Sequence, residues 1–257
     1  MLVSINIVEE VFKRWAEEKL LLVAARGNVG DKIILRATEQ LFYRYGISFV
    51  TVPGETFDLA KLEGITVVCW AGGGNMGTLY PAEKKTRERW LDAAKTAGLK
   101  TVILPQSWTS EDNYSADEVY AREQYSINAF RPDAKLLPDL GLYWSPSDAR
   151  FSALPALLHR QACGYFFRTD TESTGRTIAG STDPASVCKT AVEYFNLAGH
   201  YKVIHTDRLH FCVAALIAGT KVFFYPNSYF KNKAVYEAWL TGKHNCVFVP
   251  EEAAQHV

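Results

Sequence analysis

The chain has 257 residues, 48% hydrophobic and 22% charged, an ordinary globular composition with enough apolar surface for a sizeable core. Its 28 Lys+Arg balance 28 Asp+Glu, so no global field draws in nucleic acid or an anionic membrane, and any anion site has to be local. No apolar run approaches the roughly 20 residues that span a bilayer, and the five cysteines are far apart, with no CxxC, which argues for reduced core thiols over a disulfide framework or a zinc site.

Ile5, Val8, Phe12 and Trp15 share one helical face and predict a helix over 5–19. This charged, amphipathic start is not a signal peptide. It packs on a lobe or, at most, touches a membrane surface peripherally; the expected location is the cytoplasm, with the inner face of the membrane as its extension. Leu20 to Ala25 is a continuous apolar run, the pattern of a parallel strand buried on both faces. Arg26-Gly-Asn-Val-Gly-Asp31 follows, a turn whose Asp31 suits the cap of a helix over 32–45. The second strand is 47–52. The loop is not GxGxxG and no acidic residue ends the second strand, which excludes a nicotinamide-dinucleotide fingerprint. A third strand, 65–71, runs into Gly72-Gly-Gly-Asn-Met-Gly77. Three glycines bring bare backbone close to a ligand or to another chain segment, and their N–H groups suit an oxyanion. Then come a helix over 81–97, a fourth strand over 100–104 ending in Pro105-Gln-Ser107, a strand over 118–121, a helix opened by Arg122, and a sixth strand over 135–139 with Asp139 at its tip.

Pro146, Ser147, Asp148, Ser152 and Pro155 cluster without periodicity, which predicts a linker between lobes 1–150 and 151–257. Beyond it the pattern predicts a strand over 164–170, a polar loop over 171–181, a helix over 184–197 and a strand ending at Ile204. The stretch His205-Thr-Asp-Arg-Leu-His210 then opens a helix marked by Leu209, Val213, Leu216 and Ile217. Lys221 to Tyr225 is the next strand, followed by Ser228 to Lys231; the last strand is 245–249. The expected fold is α/β, with two Rossmann-like lobes and a cleft at the carboxyl edges of their sheets, where ligands bind in such folds. Asn28, Asp31, Gly72 to Asn75, Gln106, Ser107 and Arg122 would line one side, and Arg168, Arg208, His210 and Lys231 the other. Converging cations beside an imidazole suit a phosphorylated or carboxylated small molecule.

The ordered series Gly27-Asn-Val-Gly-Asp31, Gly72-Gly-Gly-Asn75, Leu104-Pro-Gln-Ser107, Tyr120-Ala-Arg-Glu123, Leu137-Pro-Asp139, Phe167-Arg-Thr-Asp170, Thr206-Asp-Arg-Leu-His210 and Asn227-Ser-Tyr-Phe-Lys231 resembles the polysaccharide pyruvyl transferase family, over residues 20 to 245. The resemblance implies a GT-B-like arrangement of the lobes and transfer of the enolpyruvyl unit of phosphoenolpyruvate to a sugar, usually as a cyclic ketal, a step of exopolysaccharide biosynthesis. It also implies that Arg122, Arg208, His210 and Lys231 hold the donor and serve catalysis. The chain departs from the family pattern at Thr78, where the family has aspartate, and at Phe230, where it has glycine.

Phosphoenolpyruvate needs several fixed cations, a duty expected of Arg122, Arg208 and Lys231. Gly73, Gly74, Asn75, Ser107 and Ser228 are expected helpers at the donor. His210 is the expected general acid toward the methylene carbon. Asp31 is expected either to cap a helix or to orient and deprotonate the sugar hydroxyl. Asn28, Gln106 and Asp139 are expected around the acceptor, which is a sugar, free or lipid-linked; Asp139 is equally a strand-end turn residue. No metal and no cofactor besides the co-substrate is expected. A sugar-nucleotide glycosyltransferase and a glycan-binding protein are the competing readings.

Overall fold

A computed structural model of the protein describes residues 2–112, 114–146, 160–176 and 178–250. The chain divides into two compact units, one of Val3–Gly27 with Ile34–Trp144, the other of Met1–Leu2, Asn28–Ile33 and Ser145–Val257. The predicted linker residues Ser147, Asp148, Ser152 and Pro155 lie outside the described residues. Residues 28–33, which the sequence places in the N-terminal lobe, belong by their contacts to the C-terminal unit.

The N-terminal unit is built on a parallel sheet of seven strands. They are β1 (Lys19–Ala24), β2 (Ser48–Pro53), β3 (Val67–Trp70), β4 (Gly73–Met76), β5 (Lys100–Trp108), β6 (Glu118–Ala121) and β7 (Lys135–Leu136), in the order β2-β1-β3-β5-β6-β7 with β4 paired to β5. The helices are α1 (Asn6–Lys13), α2 (Val29–Arg44), α3 (Pro81–Thr96) and α4 (Gln124–Ala129). The apolar run of β1 explains its central place. Leu20 and Leu22 enter one core cluster with Phe12, Ile34 and Val102, while Leu21 and Val23 enter the other with Trp70, Trp90 and Ile103. Strand pleating sends alternate residues to opposite faces, so both faces of β1 must be apolar. Each fully buried leucine stabilises by about 1.5–3 kcal/mol.

Several predicted boundaries move, each for a local reason. Helix α1 ends at Lys13, because the chain tightens into a turn in which Trp15 N–H donates to Phe12 O (3.0 Å). Val8, Phe12 and Trp15 are buried, so these side chains pack in the core. No helix of the described residues is long and apolar enough to cross one. The fourth strand does not stop before Pro105: β5 runs through Pro105, Gln106 and Ser107 to Trp108. The register against β6 shifts between Ile103 and Gln106, an irregularity of the kind that admits a proline into a strand. The glycine run is itself strand β4, with Gly73 opposite Gln106. Its close approach is to another segment, since a Cβ on Gly72 would lie 2.9 Å from Pro105 O and 3.2 Å from Ile34 Cγ2. The strand at 135 ends at Leu136. Asp139 instead caps a turn over Leu140–Tyr143 by accepting from Gly141 N–H (2.8 Å).

The C-terminal unit carries a four-stranded parallel sheet of β8 (Gln161–Phe166), β9 (Tyr201–Thr206), β10 (Lys221–Phe224) and β11 (Cys246–Phe248), ordered β11-β10-β9-β8. Its helices are α5 (Pro184–Val187), α6 (Ala191–Gly199), α7 (Leu209–Ile217) and α8 (Lys231–Val235). The single helix predicted over 184–197 is two. Asp183 caps the first and Thr190, accepting from Glu193 N–H, starts the second. Helix α7 is apolar nearly all round, with Leu209 and Phe211 to Leu216 buried, which makes it an interior element. Phe211 meets Phe166 and Tyr194 at ring distances of 4.8 and 5.1 Å. The five cysteines are free thiols, four of them buried.

Candidate functional site: a paired cation cluster in the C-terminal unit

Strand β9 delivers Thr206, Asp207 and Arg208 to its carboxyl end, where α7 begins. Thr206 Oγ1 accepts from Arg208 N–H (3.1 Å), an ST-type turn that stops the strand. Arg208 is the N-cap residue of α7, with extended backbone, and His210 lies in the first helical turn. Strand β8 sends Phe167, Arg168 and Asp170 to the same edge, and Lys231 opens α8 just after β10. This parallel unit thus brings Arg168, Arg208 and Lys231 to one end of one sheet, as the strand–helix–strand pattern implies.

All three cations are buried, and each is paired. Arg208 forks onto Asp183, with Nε donating to Oδ1 (3.0 Å) and Nη2 to Oδ2 (2.5 Å), while Nη1 lies 2.8 Å from Asp170 Oδ2. Arg168 forks onto Asp170 (2.7 and 3.0 Å) and donates to Glu172 Oε2 (2.6 Å). Lys231 Nζ donates to the same Glu172 oxygen, as does Asn227 Nδ2 (3.2 Å). Ser228 is exposed, and its N–H donates to Glu172 O (3.0 Å). Asp170 ends the stretch predicted as a strand, Glu172 lies in the polar loop and Asp183 follows it. Sequence reading saw the cations and missed these counter-ions, although their charge in a loop directly after Arg168 was a visible signal.

Burial raises the Asp183 and Asp170 carboxyls. The hydrogen bonds and charges of Arg208 and Arg168 outweigh that and hold both below the usual carboxylate range. Asp207 goes the other way. It is fully buried, Oδ1 accepts from Arg168 N–H (2.8 Å), and among the described residues Oδ2 has no hydrogen-bond partner. Desolvation pushes it up to about 6 despite the two nearby guanidiniums.

His210 is half-buried and faces the first turn of α2. Asn28 caps that turn: its Oδ1 accepts from Gly30 N–H (2.7 Å), while Asp31 Oδ2 accepts from Asn28 N–H (2.9 Å). This is the reciprocal pattern of a capping box. The helix therefore starts at Val29, three residues earlier than predicted, with Asn28 as its cap and Asp31 in its first turn.

The remaining predicted residues belong to the N-terminal unit, and most are inside it. Arg122 is 1% exposed; Nε donates to Ser107 Oγ (2.8 Å) and Nη1 to Asp139 Oδ2 (2.6 Å). Gln106 is fully buried; Nε2 donates to Ala71 O (2.7 Å) and Oε1 accepts from Asn75 N–H (3.4 Å). Asn75 Oδ1 accepts from Trp70 Nε1 (3.4 Å). Gly73 is buried and Gly74 half-buried in β4. An open hollow of about 390 Å³ lies beside the start of α3, lined by Arg26, Gly27 and Leu79 to Glu83; none of the predicted site residues lines it. Among the described residues no group of three or more His, Cys, Asp or Glu side chains is arranged to hold a metal ion.

The model of the family described as "Polysaccharide pyruvyl transferase" matches residues 28–229, a span that includes Arg122, Arg208 and His210 and ends two residues before Lys231. The chain belongs to the polysaccharide pyruvyl transferase family. Among curated proteins it is 26% identical to General stress protein 30 of Bacillus subtilis (strain 168), over 83% of this chain and 75% of that one. It is equally 26% identical to EpsO of the same organism, provisionally named a pyruvyl transferase, over 84% of this chain and 83% of that one. The crystal structure of a functionally uncharacterised Klebsiella pneumoniae protein superposes with a TM-score of 0.68 at 21% identity, covering 95% of this chain and 96% of that one; this likeness concerns the fold. Of this transferase's two departures from the family pattern, Phe230 has φ −58°, so the position makes no demand for glycine. Thr78 is exposed, and both its N–H and its hydroxyl meet Ser110 Oγ (3.0 and 3.1 Å).

Proposed function

We propose that this pyruvyl transferase takes its pyruvyl group from phosphoenolpyruvate and closes it as a ketal on two hydroxyls of a polysaccharide sugar or its lipid-linked precursor. In this reading its two parallel α/β units are the lobes of a GT-B-like enzyme. The observation that carries the donor assignment is the gathering of Arg168, Arg208, Lys231 and His210 at one sheet end in a member of this family.

The pairing of the cations does not oppose donor binding; it says how binding proceeds. Asp183 is itself anchored, accepting from the N–H groups of Thr169 and Ala185 (both 2.9 Å). It therefore holds the Nε–Nη2 edge of Arg208 in place. Asp170 is 39% exposed at its side chain and touches the other edge, Nη1. Exchange of that carboxylate for a carboxylate or phosphate oxygen of the donor replaces like with like, so it costs little. Glu172 is buried and ties Lys231 to Arg168 and Asn227, so it fixes the place of the ammonium. Ser228, at the rim, adds a hydroxyl.

With the donor held, His210 gives a proton to the methylene carbon, which becomes the methyl group. Positive character develops at C2 and a sugar hydroxyl attacks there. Phosphate departs and the second hydroxyl closes the ring, so that one hydroxyl proton ends on His210 and the other on phosphate. Asp31 orients the attacking hydroxyl while it holds the Asn28 N–H, with Asn28 beside it toward the acceptor. Arg122, Ser107, Asp139, Gln106, Asn75, Gly73 and Gly74 serve in this reading as the frame of the N-terminal unit.

The test is acceptor-dependent phosphate release from phosphoenolpyruvate. His210→Ala and Arg208→Ala should each lower it by at least about 100-fold with the fold kept, as judged by circular dichroism. Full activity in either folded variant removes that residue from the site. A rise in melting temperature with a nucleoside diphosphate but not with phosphoenolpyruvate would overturn the donor assignment.

A further inference from the structure

A glycine from outside its own helix lies against the His210 ring. A Cβ built on Gly30 would lie 2.8 Å from His210 Nδ1, 3.1 Å from His210 Cβ and 3.0 Å from Asn28 Oδ1. Ordinary contact begins near 3.4 Å. Gly30 is buried in the first turn of α2, and it is absent from the positive-φ glycines. Backbone conformation thus does not ask for glycine here; the imidazole does. The backbone gains nothing from a glycine in this first turn of α2, and the space taken by the imidazole gives the reason for it.

We propose that Gly30 is a positioning residue for His210: the bare Cα, fixed by the capping box, forms the wall that sets the imidazole's place. The capping box supplies the rigidity. Asn28 Oδ1 holds the Gly30 N–H and Asp31 Oδ2 holds the Asn28 N–H, so the wall does not retreat when the ring presses on it. The three atoms nearest to a methyl at position 30 all belong to the side chains of His210 and Asn28. The fold therefore accommodates it, and the ring moves instead. Turning about the Cα–Cβ bond does not relieve the contact with His210 Cβ, so the whole side chain shifts by a few tenths of an ångström and the ring by more. Displacement of a proton donor on the ångström scale costs on the order of 100-fold in rate.

The consequence for activity rests on the reading of His210 as the proton donor; the contact itself does not, and the experiment separates the two. The ring signals of His210 are assigned in ¹⁵N-histidine-labelled protein by their loss in His210→Ala. In Gly30→Ala the protein should melt within a few degrees of the wild type and the His210 ring signals should move. The apparent kcat for phosphate release should fall about 10- to 100-fold, while the KM for phosphoenolpyruvate changes less than about threefold. Unmoved ring signals would overturn the contact, whatever the enzyme's reaction is. Moved signals with unchanged kcat would leave the contact standing and overturn Gly30 as a positioning residue for catalysis. Should Gly30→Ala alone not fold, Gly30→Ala/His210→Gly, which lacks both the ring and the Cβ that obstruct it, should fold; failure of both would equally overturn the proposal.

Discussion

Two buried arginines of this protein, one in each unit, show how different settings give one residue type different work. Arg122 is 1% exposed; its contacts include Ser107 and Asp139, and both are themselves buried. Arg208 is 6% exposed, close in number but not in kind. One edge is forked onto the anchored Asp183 and the other touches Asp170, a carboxylate that is 39% exposed. A guanidinium closed in on buried partners organises a core. One that meets a solvent-facing carboxylate at a sheet end keeps an exchangeable position. Exposure of the arginine alone does not separate the two cases; exposure of its counter-ion does.

The comparison breaks first at Arg122. Arg122→Ala leaves the Asp139 carboxylate buried beside an emptied place, which costs about 3–5 kcal/mol. The expected outcome in chemical denaturation is loss of most of the stability of the unit, whether or not substrate is present. Arg122→Met with Asp139→Asn, which removes both charges and keeps the oxygen that accepts from Gly141 N–H, should recover most of the loss. Destabilisation by Arg122→Ala of well under 1 kcal/mol would show that the pair is not a structural core element.

A second handle is the uncompensated carboxyl next to Arg208. The folded state raises Asp207 from 3.8 to about 6, so it binds this proton more tightly than the unfolded chain does. The contribution is therefore neutral below about pH 4, turns against folding as pH rises from 4 to 6, and stays as a constant penalty above that. The penalty is a few kcal/mol at most, at about 1.4 kcal/mol per pKa unit. Asp170 and Asp183 act in the opposite sense, since their stabilisation is present at neutral pH and is lost in acid as they protonate. Asp207→Asn should remove only the first effect. The gap in melting temperature between variant and wild type should be several degrees more favourable to the variant at pH 7.5 than at pH 4.5. A gap independent of pH would show that Asp207 does not titrate in this range.

The smallest effect expected is the most telling for function. Asp170→Asn removes the charge that competes for Arg208 Nη1 while keeping a polar side chain. Because the group is partly exposed, the gain is under about 1 kcal/mol. The apparent KM for phosphoenolpyruvate should fall about two- to fivefold, with little change in melting temperature. A rise in KM would mean that Asp170 supports the donor site and does not stand in for the donor.

Much of this was legible in the amino-acid order. The apolar run at 20–25, the Arg-Leu-His turn before an apolar helix and the strand after it specify parallel α/β units locally, because burial on both faces of a strand leaves a pattern that neighbours in sequence carry by themselves. The ordered motifs carried the family. The sequence could not show that Asn28 caps α2, that Pro105 sits inside a strand, or that Arg122 is buried against Ser107 and Asp139. Each depends on which segment lies opposite: Asp31 three residues on, the irregular register of β5 against β6, and Asp139 17 residues away in sequence. The counter-ions of Arg208 and Lys231 belong in the same class, since ion pairing is set by distance in space. So does Gly30, whose absent side chain has meaning only once His210 stands against it. Periodicity along the chain determines the elements; contact between elements decides what each polar residue is for.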